Sequence, residues 1–311
     1  MSNLQTADIG LGQTILRRAA ISPNKPAITF EGQTQTFAEL GDRVRRMAAV
    51  LRAGGISAGD RVGYIGFNHP VFLEMLYACG CLGAVFVPLN FRLTGPEVRF
   101  IANDAGISTL VVDDMLRPII DEERANLECT RYITAEADAD NWEALEPLMA
   151  AAQPIEASEK VDGDDVAFIM YTSGTTGLPK GAMLTHGNIF WNSINVCFGD
   201  DGISGTTLTC APLFHIGGLN VTTLLSLGMG VEVVLLRSFD AGQVLALIEK
   251  HKVTTMFGAP TMFLMMAQHE NFSTSDLSSI DAMTCGGAPV PVPLIKTYGD
   301  RGIKFCQGYG L

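Results

Sequence analysis

Apolar positions along the chain follow two alternating periods. Leu40, Val44, Met47, Ala48 and Leu51 recur at three- and four-residue spacing and mark one face of a helix. Thr36-Phe-Ala-Glu39 ahead of them has the form of a capping box, and Gly54-Gly55 behind them is a stop signal. Asp60 to Ile65 reads as a strand, Val71 to Cys81 as a helix, and Gly83 to Val87 as a strand ending at Pro88. Pro96 to Asn103 predicts a further helix and Ser108 to Val112 a further strand. Strands alternating with helices predict an α/β fold of mostly parallel sheets with helices on both faces.

The character changes between Ala135 and Asp165, where Ala, Glu and Asp dominate beside Pro147 and Pro154. A short acidic helix and a linker are expected there, with a boundary near Glu159. That divides the chain into two stacked α/β subdomains, 1–158 and 159–311. The second half resumes the rhythm, with strand-like runs ending near Thr172, Cys210, Leu236, Phe257, Cys285 and Cys306. Glycine-rich or polar segments follow most of these ends: Ala211-Pro-Leu-Phe-His-Ile-Gly-Gly218, Gly258-Ala-Pro260, Gly286-Gly-Ala-Pro289 and Gln307-Gly-Tyr-Gly310. In open α/β sheets the carboxyl ends of strands are where ligands bind.

Composition narrows the class. Hydrophobic residues make up 47% of the 311 and charged residues 17%, which is globular rather than disordered. The net charge of −12 disfavours nucleic acid, whose binding needs many phosphate-neutralising Lys and Arg. No apolar run reaches the length of a membrane span, since Glu74 and glycines interrupt Val71 to Pro88. Met1-Ser-Asn-Leu-Gln lacks the basic start and apolar core of a signal peptide. The seven cysteines lack metal-type spacing, so reduced thiols in a cytoplasmic protein are expected, with a homodimer left open. No metal-ligating residues are assigned.

The stretch Tyr171-Thr-Ser-Gly-Thr-Thr-Gly-Leu-Pro-Lys-Gly181 carries the most chemistry. The apolar run Val166-Ala-Phe-Ile-Met170 leads into it as a buried strand. Thr172, Ser173, Thr175 and Thr176 supply hydroxyls, Gly174 and Gly177 free the backbone, and Lys180 adds a positive charge. Such a loop can turn several N–H groups inward and hold a polyphosphate. It is not the P-loop of nucleotide hydrolases. Gly174 and Gly177 are too close, Leu178-Pro179 intervenes before Lys180, and Gly181 stands where that motif needs a hydroxyl. Pro179 also argues against a helix starting directly beneath the phosphates. By itself, His215 is as well read as a partly buried structural histidine, and Tyr309 as a core aromatic.

These segments resemble the adenylate-forming superfamily, which includes acyl- and aryl-CoA synthetases, luciferases and the adenylation domains of peptide synthetases. Gly59-Asp-Arg-Val62 and Val87-Pro-Leu-Asn-Phe-Arg-Leu93 also match its patterns and look structural. The resemblance implies that Thr172 to Gly177 and Lys180 hold ATP phosphates. It implies that Gly286, Gly287, Ala288 and Pro289 lie along the adenine, and that Gln307, Gly308, Tyr309 and Gly310 follow, with the tyrosine ring against the base. His215, Gly217 and Gly218, with Gly286, would border the acid. The implied reaction joins a carboxylic acid to coenzyme A through acyl-AMP, with ATP and Mg²⁺ as cofactors.

The implied substrate is a fatty acid, with Phe190, Trp191, Val196 and Phe214 as apolar candidates. The alternatives are an aryl acid of the cinnamate type and a non-catalytic nucleotide-binding fragment. Family members continue past Leu311 with Thr-Glu for the α-phosphate and Mg²⁺, then with a ribose-binding aspartate, a barrel subdomain and a C-terminal domain carrying a second lysine. Those parts are expected to be missing, which leaves binding with little or no turnover.

Overall fold

The computed structural model describes residues 8–137, 140–172, 177–199 and 203–310. Among the described residues, fourteen strands fall into two sheets of seven. In chain order they are β1 Pro26–Phe30, β2 Gln33–Thr36, β3 Arg61–Ile65, β4 Val85–Leu89, β5 Ile107–Val112, β6 Arg131–Thr134 and β7 Glu143–Ala144. There follow β8 Val166–Thr172, β9 Lys180–Thr185, β10 Thr206–Thr209, β11 Glu232–Leu235, β12 Thr255–Gly258, β13 Ala282–Cys285 and β14 Lys304–Gln307. One sheet runs β7-β6-β5-β3-β4-β8-β9 and the other β14-β13-β12-β10-β11-β1-β2. Every pairing is parallel except two hairpins at sheet edges, β1–β2 and β8–β9.

The chain interleaves between two compact units rather than dividing once near Glu159. One unit holds Met1–Ile21, Glu39–Gly66 and Val71–Trp191; the other holds Ser22–Ala38, Phe67–Pro70 and Asn192–Leu311. The cause is strand pairing. β8 joins β4 through Phe86 and Phe168, so the second half of the chain completes the first sheet. β1 pairs with β11 from Ile28–Val233 to Phe30–Leu235, so the N-terminal hairpin completes the second.

Four helices of the first unit matter below: α1 Leu11–Ile21, α2 Phe37–Ala53, α3 Pro70–Leu82 and α4 Gly95–Ala105. Val98 and Ile101 of α4 pack on Val87, Leu110 and Val112 in one core. The second unit has its own core, where Leu208, Val234, Met256 and Met283 from the sheet meet Leu245, Ile248, Phe263 and Tyr298 from its helices. α3 is buried nearly throughout, including Glu74. That carboxylate is tolerated because Arg43 Nε lies 2.6 Å away, and Arg43 also grips Glu146 with two further bonds.

His186 begins the helix His186–Gly199 directly after β9. Its ring is 1% exposed, and its Nδ1 accepts the backbone N–H of Leu11, the first residue of α1. A side chain distant in sequence thus satisfies one of the orphan donors at a helix start. Burial lowers its pKa, opposed by the nearby charges of Asp165 and Asp8. The unfolded chain therefore takes up a proton near pH 6.5 that the folded ring resists. This contribution to stability is complete above about pH 6.5 and declines as the pH falls toward the depressed folded value. Urea unfolding from about pH 8 to 5 is expected to show the decline, and His186→Gln to flatten it.

Candidate functional site

The chemistry-bearing residues lie on both units. On the first, β8 and β9 pair antiparallel, with Tyr171 opposite Gly181 and Thr172 opposite Lys180. The polar stretch therefore lies between the two strands of an edge hairpin. Its last strand pair presents the Thr172 hydroxyl and the Lys180 ammonium, both exposed. Gly177 has φ +99, and a Cβ there would meet nothing within 4 Å. A left-handed residue with open space in front of it suits a backbone that lets a ligand approach. Ser173, Gly174, Thr175 and Thr176 lie outside the described residues. A strand, not a helix, follows the stretch, which explains structurally why the P-loop spacing fails. A P-loop needs a helix N-terminus beneath its phosphates.

On the second unit, four parallel strands in the order β14-β13-β12-β10 end side by side. The ladder continues beyond them: Gly286 N–H donates to Gly258 O at 3.1 Å, and Gly308 N–H to Cys285 O at 2.7 Å. The segments 286–289 and 307–310 consequently follow the carboxyl edge of the sheet closely. Gly287, with φ +84 and open space around it, turns the chain outward, and Ala288 and Pro289 are exposed. Gln307, Gly308 and Gly310 are exposed as well. Tyr309 is 94% exposed, which removes the core-aromatic reading.

The connection from β10 runs to β11 on one side, and that from its other neighbour β12 runs to β13 on the opposite side. That is a topological switch point, where a crevice opens outside the strand ends. Its wall is the segment after β10. His215 is exposed there, with its ring centroid 4.5 Å from that of Phe214. Gly218 fits tightly, since a Cβ would stand 2.3 Å from Pro212 O. The hydroxyl of Thr223 donates to Gly218 O at 2.8 Å and bonds Thr209 of β10 at 2.7 Å, tying a π-helical turn over Leu219–Thr223 to the strand.

Two residues of this crevice were missed from sequence. The Phe257 ring at the end of β12 lies against both glycine segments: a Cβ on Gly217 would be 2.6 Å from it, and one on Gly286 3.1 Å. Strand periodicity placed Phe257 but did not say which backbones it would meet. Asn68 is 3% exposed and holds the wall from behind. Its Nδ2 donates to Ala211 O and Leu236 O, both at 3.0 Å, and its Oδ1 accepts from Leu213 N–H at 2.9 Å. A lone asparagine after a strand carries no signal for partners so far along the chain. Phe190, Trp191 and Val196, the apolar candidates, lie on the helix His186–Gly199, and Trp191 is 62% exposed.

Among the described residues, no cluster of three or more His, Cys, Asp or Glu is placed to hold a metal ion, and no helix is long and apolar enough to cross a membrane.

A sequence model of the family described as AMP-binding enzyme matches residues 15–311. The chain belongs to the AMP-binding enzyme family. Feruloyl-CoA synthase of Amycolatopsis sp is 45% identical over 303 residues, covering 97% of this chain and 59% of that protein. Indoleacetate–CoA ligase of Aromatoleum aromaticum is 36% identical over 302 residues, covering 96% and 59%. Among solved structures, a Mycobacterium tuberculosis fatty acyl CoA synthetase superposes with TM-score 0.89 at 32% identity, covering 97% of this chain and 60% of that one. The chain thus spans about three-fifths of the length of the curated relatives it matches.

Asn68→Ala strips three backbone groups around the crevice wall of their partner. With roughly 1–3 kcal/mol for each buried group left unsatisfied, partly relieved by relaxation, a loss of about 2–4 kcal/mol in urea unfolding is expected. Asn68→Asp, which keeps only the acceptor, is expected to recover little of it.

Proposed function

We propose that the whole protein is an ATP-dependent acid–CoA ligase and that its acid carries an aromatic ring. The observation that carries this reading is the 45% identity, over 97% of this chain, to a protein named feruloyl-CoA synthase. At the end of β12 the half-buried Phe257 sets its ring edge against Gly217 and Gly286. An aromatic ring laid along these glycine segments gains edge-to-face contact with such a ring, whereas a flexible alkyl chain gains less and loses more rotamer freedom. The fatty acid expected from sequence accordingly gives way to the aryl alternative. Indoleacetate–CoA ligase at 36% identity points the same way, and a long-chain-fatty-acid–CoA ligase of Mycobacterium tuberculosis follows at 35%, so the preference rests on the 45%.

In this reading Thr172, Ser173, Gly174, Thr175, Thr176, Gly177 and Lys180 grip the β- and γ-phosphates. The segments 286–289 and 307–310 lie along the adenine, with the exposed Tyr309 ring available to stack on it. His215, Gly217, Gly218 and Gly286 border the acid. A carboxylate oxygen forms a bond to the α-phosphorus as the bond to the bridging oxygen breaks, and pyrophosphate leaves. The sulfur of coenzyme A then attacks the acyl carbon and AMP departs. No general base is needed for the first step, because the acid is ionised near neutral pH. What the protein supplies is charge neutralisation and alignment. Mg²⁺, carried by phosphate and water oxygens, would share that neutralisation.

Acid-dependent exchange of pyrophosphate into ATP tests the proposal. Ferulate and indoleacetate should support exchange by the whole protein more strongly than hexadecanoate. Phe257→Ala should raise the KM for the aryl acids about tenfold, equivalent to about 1.4 kcal/mol. Preference for hexadecanoate would overturn the aryl assignment, and no exchange with any acid would overturn the ligase reading.

A further inference from the structure

Tyr171 stands one residue before Thr172, so its side chain leaves β8 on the opposite face. On that face its ring packs against the first unit's core and sits over Gly181, its partner on β9. A Cβ on Gly181 would come within 3.1 Å of the tyrosine ring and 2.7 Å of Ile169 Cγ2, so only glycine leaves the ring its seat. The phenol O–H then donates to Asp104 Oδ2 at 2.5 Å. Asp104 belongs to the last turn of α4, where a carboxylate opposes the helix dipole and gains from an added donor. That turn is held in its own right. Gly106 closes it in the left-handed conformation, and Asn103 bonds Asn126 O and Glu128 N–H. Burial, followed by the bond to Asp104, raises the pKa of the phenol and keeps it a donor.

The hairpin has need of such an anchor. β9 is an edge strand paired only with β8, and its first four residues are exposed. An edge with so little burial opens locally at low cost. We propose that Tyr171 and Asp104 are positioning residues that clamp the mouth of the β8–β9 hairpin onto α4. The clamp sets the alignment of the Thr172–Lys180 pair toward a polyphosphate. This rests on the reading above, in which that pair grips the β- and γ-phosphates. Neither residue touches the nucleotide.

The test compares ATP with AMP, which lacks the phosphates the hairpin would hold. Calorimetric titration of the protein with each nucleotide should show Tyr171→Phe and Asp104→Ala weakening ATP about tenfold. AMP affinity should change less than about twofold, with Tm little altered. Asp104→Asn keeps an oxygen acceptor and should restore most of the ATP affinity. The double variant Tyr171→Phe/Asp104→Ala should be no weaker than either single one. Unchanged ATP affinity in Tyr171→Phe, or equal losses for ATP and AMP, would overturn the clamp while leaving the ligase reading in place. Failure of the unaltered protein to bind ATP would remove both.

Discussion

Close approach of one backbone to another at the carboxyl edge of the second sheet is the constraint on which the candidate site depends. Parallel strands end together, and their ladder runs on through Gly286 to Gly258 and through Gly308 to Cys285. Side chains at these points would fill the space: Gly217 and Gly286 both abut the Phe257 ring, and Gly218 abuts Pro212 O. Glycine is used here for proximity more than for flexibility. The resulting edge is flat, polar and open, which suits a planar base or ring laid against main chain.

The first unit solves a different problem with a different device. A polyphosphate can be held at a helix N-terminus, where the dipole and free N–H groups favour anions. Here the polar stretch lies between two antiparallel strands, and the element that follows it is a strand, not a helix. In the proposed reading, side chains such as Thr172 and Lys180 supply the attraction instead. The overall charge of −12 is compatible with this, because contacts within a few ångströms, not net charge, set the potential at a bound phosphate.

Much of this was legible in the sequence for identifiable reasons. β3 and α3 announce themselves as buried runs, and the helix expected over Pro96 to Asn103 is α4, Gly95–Ala105. The strand ends near Thr172, Cys285 and Cys306 were found because glycine and polar residues interrupt apolar runs there. β9 was not legible, since an exposed edge strand containing Gly181 shows no apolar period. The β1–β2 hairpin turns at Glu31 and Gly32 with φ of 48° and 81°, and Glu-Gly is not among the strong hairpin signals. The change of composition between 135 and 165 suggests a single boundary, whereas these two hairpins carry the chain between the interleaved units. Asn68 was invisible because its partners at 211, 213 and 236 are neighbours only in the fold. Which backbones Phe257 meets is likewise set by the fold, and strand periodicity does not specify it.

The central claim is that this family member joins an acid oxygen to the α-phosphorus of ATP. Incubating the whole protein with ATP, coenzyme A and ferulate labelled with ¹⁸O in its carboxylate tests it directly, with the nucleotide product weighed by mass spectrometry. The account predicts AMP carrying one ¹⁸O atom, because the P–O bond made in the adenylate stays with phosphorus when the thiol displaces AMP. Unlabelled AMP, or ADP with label in inorganic phosphate, would contradict it.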